Sequence, residues 1–295
     1  MRRSLQIVLL AAAALVAAAC TFTGLAYSNV PFAYNNASSM FTWMVGDYVD
    51  MSDDQKEFVH DRFDRAFAWH RTQELPEYRR FFERVLVEAQ DNISVDEAAA
   101  ANRDLRGYYY RAVERLLPDI ADFLLRLDSL QAMQMEKRFE KENRRIVSDA
   151  RESSAEERRA KRLDGFVTHL EQFVGPLTDA QRDMVAAYIA SQSDLLDERM
   201  ADRRYRQAGV LAIVKSKPPR EQAIAQLRRL LIETESWRDA GYRQKLAVRD
   251  RQLYELIARL SESLSADQRA AFQGRIRGFM RDITEITASR AGNAG

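Results

Sequence analysis

From residue 37 to about residue 288, apolar positions recur at spacings of three and four with charged positions between them, the signature of one buried helix face after another. After Ser52 that face reads Val59, Phe63, Ala66, Phe67 and His70. Pro76 stands where a first-turn proline starts a new helix, and Tyr78, Phe81, Phe82, Val85, Leu86 and Ala89 form its stripe. Ser94 with Glu97 predicts a capping box opening a long helix through Leu105, Ala112, Leu116, Ile120 and Leu127, which Pro118 is expected to kink or split. Residues 136–162 carry ten basic and seven acidic side chains in 27 positions, which predicts a helix solvated over most of its circumference and interrupted at Ser153-Ser154. Beyond it, a stripe from Leu163 to Phe173 is stopped by Gly175-Pro176. A helix from Thr178 to about Gly209 is expected next, then a break at Ser216-Lys217-Pro218-Pro219. Further helices follow near Ile224–Leu231, Tyr242–Leu260 and Ser265–Ala288. No strand-like alternation competes. The pattern predicts an all-α, elongated multi-helix bundle of two helical halves, 34–150 and 151–290, ending in a frayed tail over 291–295.

Three of the helix starts share one motif. Met51-Ser52-Asp53-Asp54-Gln55, Leu177-Thr178-Asp179-Ala180-Gln181 and Leu264-Ser265-Ala266-Asp267-Gln268 each place an apolar residue, a hydroxyl residue, two others and a glutamine. This is the spacing of a capping box, in which the hydroxyl accepts from the third helical amide and the glutamine returns to the N-cap amide. Loss of such a cap costs about 1 kcal/mol. Punctuation accounts for every residue of the motif; the other reading is a surface that binds something.

Composition favours long helices, since only 11 glycines and 6 prolines occur in 295 residues of which 30% are charged. The amino terminus sets the compartment. Met1-Arg2-Arg3 is a basic start, Leu5 to Val16 an apolar run, and Ala17-Ala18-Ala19 supplies small residues before Cys20. The run is too short for a spanning helix and reads as a secretory signal over 1–19. Ala17-Ala18-Ala19-Cys20 resembles a bacterial lipobox, which implies cleavage before Cys20, a covalent lipid on its sulfur, and a lipidated tether over 20–33. Cys20 is the sole cysteine, so no internal disulfide competes. Thr21, rather than aspartate, favours the periplasmic face of the outer membrane, with the inner membrane's periplasmic face as the alternative. Loss of the signal removes Arg2 and Arg3 from 45 basic residues, leaving them one short of the 44 acidic ones. A balance so near neutrality, without a basic face, argues against nucleic acid as a partner.

Candidate chemistry is sparse. Glu57-Phe58-Val59-His60 gives one Glu-x-x-His, but a di-iron carboxylate site needs two such motifs and two further glutamates, so no metal site is assigned. No Gly-x-Ser-x-Gly elbow and no glycine-rich phosphate loop occurs. Tyr108-Tyr109-Tyr110 between Arg106 and Arg111 reads as core packing, or as a stack for a ring-bearing ligand such as a glycan. His70, at the end of its stripe, reads as a buried hydrogen-bonding side chain. Trp43 to Asp50, with Tyr34-Asn35-Asn36-Ala37, is expected to pack across the helix that Ser52 opens.

Two resemblances follow. Leu177-Thr178-Asp179-Ala180-Gln181 is similar to the Leu-Thr-x-x-Gln motif of the small periplasmic stress chaperones of the Spy and CpxP group, which are helical cradles. Over nearly the whole mature chain, the sequence resembles a family of bacterial lipoproteins known only as a domain of unknown function (DUF6279). The residues that carry it are Tyr34-Asn35-Asn36-Ala37, Trp43, Tyr48, Asp50, Gln55, His70-Arg71, Leu75-Pro76-Glu77-Tyr78, Phe139, Glu142-Asn143, Lys161-Arg162 and Gly175-Pro176-Leu177-Thr178 with Gln181. That resemblance implies an anchored, helical envelope protein and no particular reaction. The leading expectation is a non-catalytic, lipid-anchored module that binds client or envelope proteins, chaperone-like, with no cofactor. An envelope hydrolase acting on lipid, peptidoglycan or peptide through Glu57, His60 and His70 is one alternative, and an outer-membrane spacer the other. The sequence leaves the oligomeric state open.

Overall fold

A computed structural model describes residues 30–288. Cys20, the signal segment and the tail 291–295 lie outside the described residues. The elements in order are α1 (Val30–Asn35), α2 (Ala37–Gly46), α3 (Asp53–Trp69), a π-turn (His70–Glu74), α4 (Leu75–Glu88), α5 (Val95–Arg126) and α6 (Ser129–Glu152). They are followed by α7 (Ala155–Val174), α8 (Asp179–Ser191), α9 (Leu196–Ser216), α10 (Arg220–Leu231), a short 3-10 turn (Thr234–Ser236), α11 (Ala240–Ser263) and α12 (Ala266–Ala288). The protein is an all-α multi-helix bundle, and the described residues include no strand.

The long α5 is the hub. It packs against α3, α9, α10 and α11, so Ala112, Val113, Leu117, Ala121 and Leu124 are enclosed from several sides. The larger buried cluster joins α1–α6 to α9, α10 and α12 and so mixes residues from before and after position 150. A smaller cluster of Val167, Leu177, Val185, Ile189, Leu256 and Leu260 packs α7, α8 and α11 together. α12 lies against α1, α4 and α7. Gly209 permits the approach of α9 to α10: a Cβ there would fall 2.5 Å from Leu230 Cδ1.

Pro76 does stand in the first turn of a helix, α4, but no loop separates that helix from α3. The proline lacks an N–H and its ring would strike the carbonyl of residue 72 in a regular turn, so the preceding turn widens, and the Leu75 amide bonds back to the His70 carbonyl. The chain therefore stays helical from Asp53 to Glu88. Three sequence expectations are corrected. Pro118 does not split α5, which runs through it. The helix expected over 178–209 is two helices, because Gln192 to Leu195 leave helical geometry. There the Ser191 hydroxyl donates to the Tyr188 carbonyl and Asp194 Oδ1 accepts from the Leu196 amide, local bonds that compete with the helix ladder. Lastly, Trp43 is not packed across α3. It is 69% exposed, and Phe41 makes the contact instead, with its ring 5.3 Å from Phe63 and 5.7 Å from Phe67.

Candidate functional site

Each of the three capping motifs carries both reciprocal bonds. Ser52 Oγ accepts from the Gln55 amide at 3.3 Å while Gln55 Oε1 accepts from the Ser52 amide at 3.0 Å. Thr178 with Gln181 and Ser265 with Gln268 repeat the geometry. A fourth copy, Leu127-Asp128-Ser129-Leu130-Gln131, was not legible as one of the set because aspartate replaces the hydroxyl residue. Aspartate is an equally good N-cap, so the apolar residue and the glutamine three positions on were the available signal.

The four caps meet in pairs. Gln55 Nε2 donates to Gln131 Oε1 at 3.1 Å and Gln131 Nε2 to Gln55 Oε1 at 2.6 Å. Gln181 and Gln268 exchange the same two bonds, both at 2.9 Å. The second proton of each amide goes to the carbonyl two residues before the partner's N-cap: Gln55 to Arg126, Gln131 to Asp50, Gln181 to Ser263 and Gln268 to Pro176. Both donors and both lone pairs of each side-chain amide are thereby used. Glutamate could not substitute, since it cannot donate and two carboxylates would repel. The motif is a two-sided clasp that joins two helix N-termini, and it occurs twice.

Several of the resemblance-bearing side chains gather in two buried polar clusters. In the first, the π-turn takes one residue more than an α-turn and turns His70, Arg71 and Glu74 inward. His70 is fully buried, its Nδ1 2.9 Å from the Tyr34 hydroxyl and its Nε2 3.3 Å from that of Tyr78. Arg71 donates to Asn35 Oδ1 at 2.7 Å and covers the Tyr34 ring. Glu74 accepts a two-pronged pair from Arg111 at 3.0 and 2.9 Å. Tyr108 packs on Tyr78 at 4.8 Å between centroids. Asn36 sits exposed at the α1–α2 junction, where its carbonyl accepts from the Met40 amide.

The second cluster centres on Glu142. Tyr48 donates to both of its oxygens at 3.1 and 3.0 Å, Arg203 to Oε2 at 3.1 Å, and Arg138 lies 3.3 Å from Oε1. Asn143 accepts from Arg203 Nε at 2.6 Å and donates to Gln207 at 2.8 Å, while Phe139 packs on the Tyr48 ring. Burial, then the facing carboxylate, pushes the Tyr48 phenol up, and burial pulls the Arg203 guanidinium down. Arg203 was missed at the sequence level because Asp-Arg-Arg-Tyr-Arg gives no local sign of which arginine turns inward. Beside this cluster a groove of about 530 Å³ runs between α6 and α9, lined by Glu140, Arg144, Val147, Arg151 and Arg204 among others.

Glu57, His60 and His70 do not meet. Glu57 is exposed, His60 faces Asp64 and Ser39, and His70 is enclosed among tyrosines. Among the described residues no group of three or more His, Cys, Asp or Glu is arranged to hold a metal ion. No helix among the described residues is long and apolar enough to cross a membrane.

Fold and sites together define a helical bundle framed by paired helix caps, with many polar side chains of its motifs engaged inside the framework. The chain belongs to a family of unknown function, DUF6279, whose model matches residues 47–243. That segment takes in Tyr48, His70, Phe139, Glu142, Asn143 and three of the four caps, whereas Tyr34, Asn35, Asn36, Trp43 and the Ser265 cap fall outside it. No curated protein and no solved structure matches the chain.

Proposed function

We propose that this protein is a non-catalytic binding module of the bacterial envelope, anchored through a lipid on Cys20 at the periplasmic face of the outer membrane. It engages client or envelope proteins through the groove along α6 and α9. The observation that carries the reading is a division of labour among side chains. Most motif side chains are engaged in the clasps and buried clusters, whereas the groove, which Asn143 also reaches, is lined chiefly by Glu140, Arg144, Val147 and Arg151, with both charges and an apolar point. Such a surface suits segments of an unfolded client that alternate charge and apolar residues. The anchor draws support from α1 and α2, which follow the tether and contain no charged residue from Val30 to Gly46. On α2, Met40 and Trp43 lie three residues apart and face outward at 37% and 69% exposure, and exposed tryptophan is favoured where a protein meets a membrane interface.

The test uses residues 21–295 with a chemically denatured client, followed by light scattering. Suppressed aggregation, weakened by the double charge reversal Arg144→Glu with Arg151→Glu, is expected. Equal scattering with and without the protein would refute the binding role. For the anchor, labelled palmitate should enter the full chain and fail to enter Cys20→Ala, which should leave the membrane fraction.

A further inference from the structure

A second cavity, of about 290 Å³, lies between α5, α9 and the turn that follows α10. Its wall takes Arg106, Tyr109 and Tyr110 from the aromatic run on α5, Arg206 from α9, and Thr234 and Arg238 from the turn. Two of the arginines have acidic partners. Arg238 Nε donates to Asp202 at 2.8 Å and its Nη1 lies 3.9 Å from Glu235, and Arg106 lies 3.7 Å from Asp250. Arg206 is different. Among the described residues no carboxylate comes within ion-pairing distance of it, and its Nε is buried without an acceptor. Asp202 acts on it electrostatically from farther off, and the Trp237 ring lies 6.0 Å from the guanidinium carbon. Burial pulls its pKa down from the ordinary guanidinium value. The Tyr109 hydroxyl likewise has no hydrogen-bonding partner among the described residues, and burial pushes that phenol up.

The site thus offers three guanidiniums, of which only Arg206 has no carboxylate within ion-pairing distance among the described residues, with hydroxyls of two tyrosines and a threonine, and Leu105 and Leu231 as apolar walls. Arg206 is half-buried, and Asp202 offsets only part of what burial costs its charge, which leaves a place for an anion in the cavity. The side-chain groups facing the cavity are donors, and a guanidinium fork matches a carboxylate or phosphate. We propose that this cavity binds a small organic oxyanion, a carboxylate or phosphate borne on a ring or short apolar body, with Arg206 as its charge partner. The ring lies against Tyr109 and Tyr110, and the volume admits a single-ring ligand rather than a polymer. The site is independent of the anchor and of the α6–α9 groove.

Residues 21–295 are titrated calorimetrically with phenyl phosphate and with benzoate, with benzyl alcohol as the neutral control, while the Trp237 indole N–H resonance is followed. Phosphatidylglycerol vesicles form a second arm, separating a lipid headgroup from a free ligand. Binding of an oxyanion but not of the alcohol is expected, with a shifted Trp237 signal. Arg206→Met should weaken binding at least tenfold and raise the melting temperature of the ligand-free protein, because the variant sheds a charge that burial disfavours more than Asp202 offsets. A merely structural arginine would lower that temperature on removal. Arg103→Gln, exposed on α5, should bind as the parent does. Binding by Arg206→Met equal to that of the parent, or no response of the parent to either oxyanion or to vesicles, would overturn the assignment.

Discussion

Glu142 is a carboxylate sealed inside a helical protein, and both of its oxygens meet donors or cations there. Tyr48 donates to it, Arg203 and Arg138 neutralise it, and Asn143 fixes the Arg203 fork. Taking one partner away leaves a buried charge short of a bond, which costs about 1.5–3 kcal/mol. Tyr48→Phe should therefore lower the unfolding free energy by about that much at neutral pH in a urea titration. The phenol also sets an alkaline limit. Its folded pKa lies above the ordinary value of 10.0, so the folded chain keeps the proton that the unfolded chain releases first. The bond contributes fully below that value, and stability is lost as the pH rises beyond it. Melting curves collected from about pH 8 to 11 should show a smaller alkaline loss for Tyr48→Phe than for the parent. Tyr48, Phe139, Glu142 and Asn143 were legible in the sequence as bearers of a family pattern, but their convergence was not, because Arg203 and Gln207 come from a helix some sixty residues away.

At the scale of elements, helix ends carry more information than helix faces. Periodicity marked nearly every helix, since a buried stripe must repeat every three or four residues whatever it packs against. It misjudged the 178–209 segment, where side-chain bonds of Ser191 and Asp194 interrupt a pattern whose apolar spacing continues. The caps divide by chemistry. Glu97 and Glu157 bond back to their own N-caps, whereas Gln55, Gln131, Gln181 and Gln268 also reach across to a second helix start. Glutamine against glutamate at this position is thus a sequence signal for a paired cap. Another end is capped from a distance: Lys217, in left-handed geometry after α9, donates to the carbonyls of Leu124 at 3.3 Å, Leu125 at 2.9 Å and Leu127 at the end of α5. A cation there meets both the unpaired carbonyls and the negative pole of the helix. Lys217→Met should cost about 1–2 kcal/mol in chemical denaturation without changing the helical circular dichroism of the folded state.

For the whole molecule, the clasps supply what the core alone does not, which is register. One clasp ties the start of α3 to the start of α6, the other the start of α8 to the start of α12, and each also secures the chain just before both helices. Sequence reasoning identified three of these glutamines as helix punctuation. It did not reveal the pairing, which depends on two distant helix starts being brought side by side. The clasps leave the α6–α9 groove and the Arg206 cavity as the surfaces on which function is proposed. The substitution Gln181→Glu separates the two accounts of the motif, because it keeps the capping box and removes the donor. Gln181 is 1% exposed and faces Gln268 Oε1 and the Ser263 carbonyl. In urea denaturation at neutral pH, the clasp predicts a loss of at least about 2 kcal/mol, with a charge buried against two acceptors. An unchanged stability, or a gain of about 0.3–1 kcal/mol from an acid at a helix N-terminus, would contradict it.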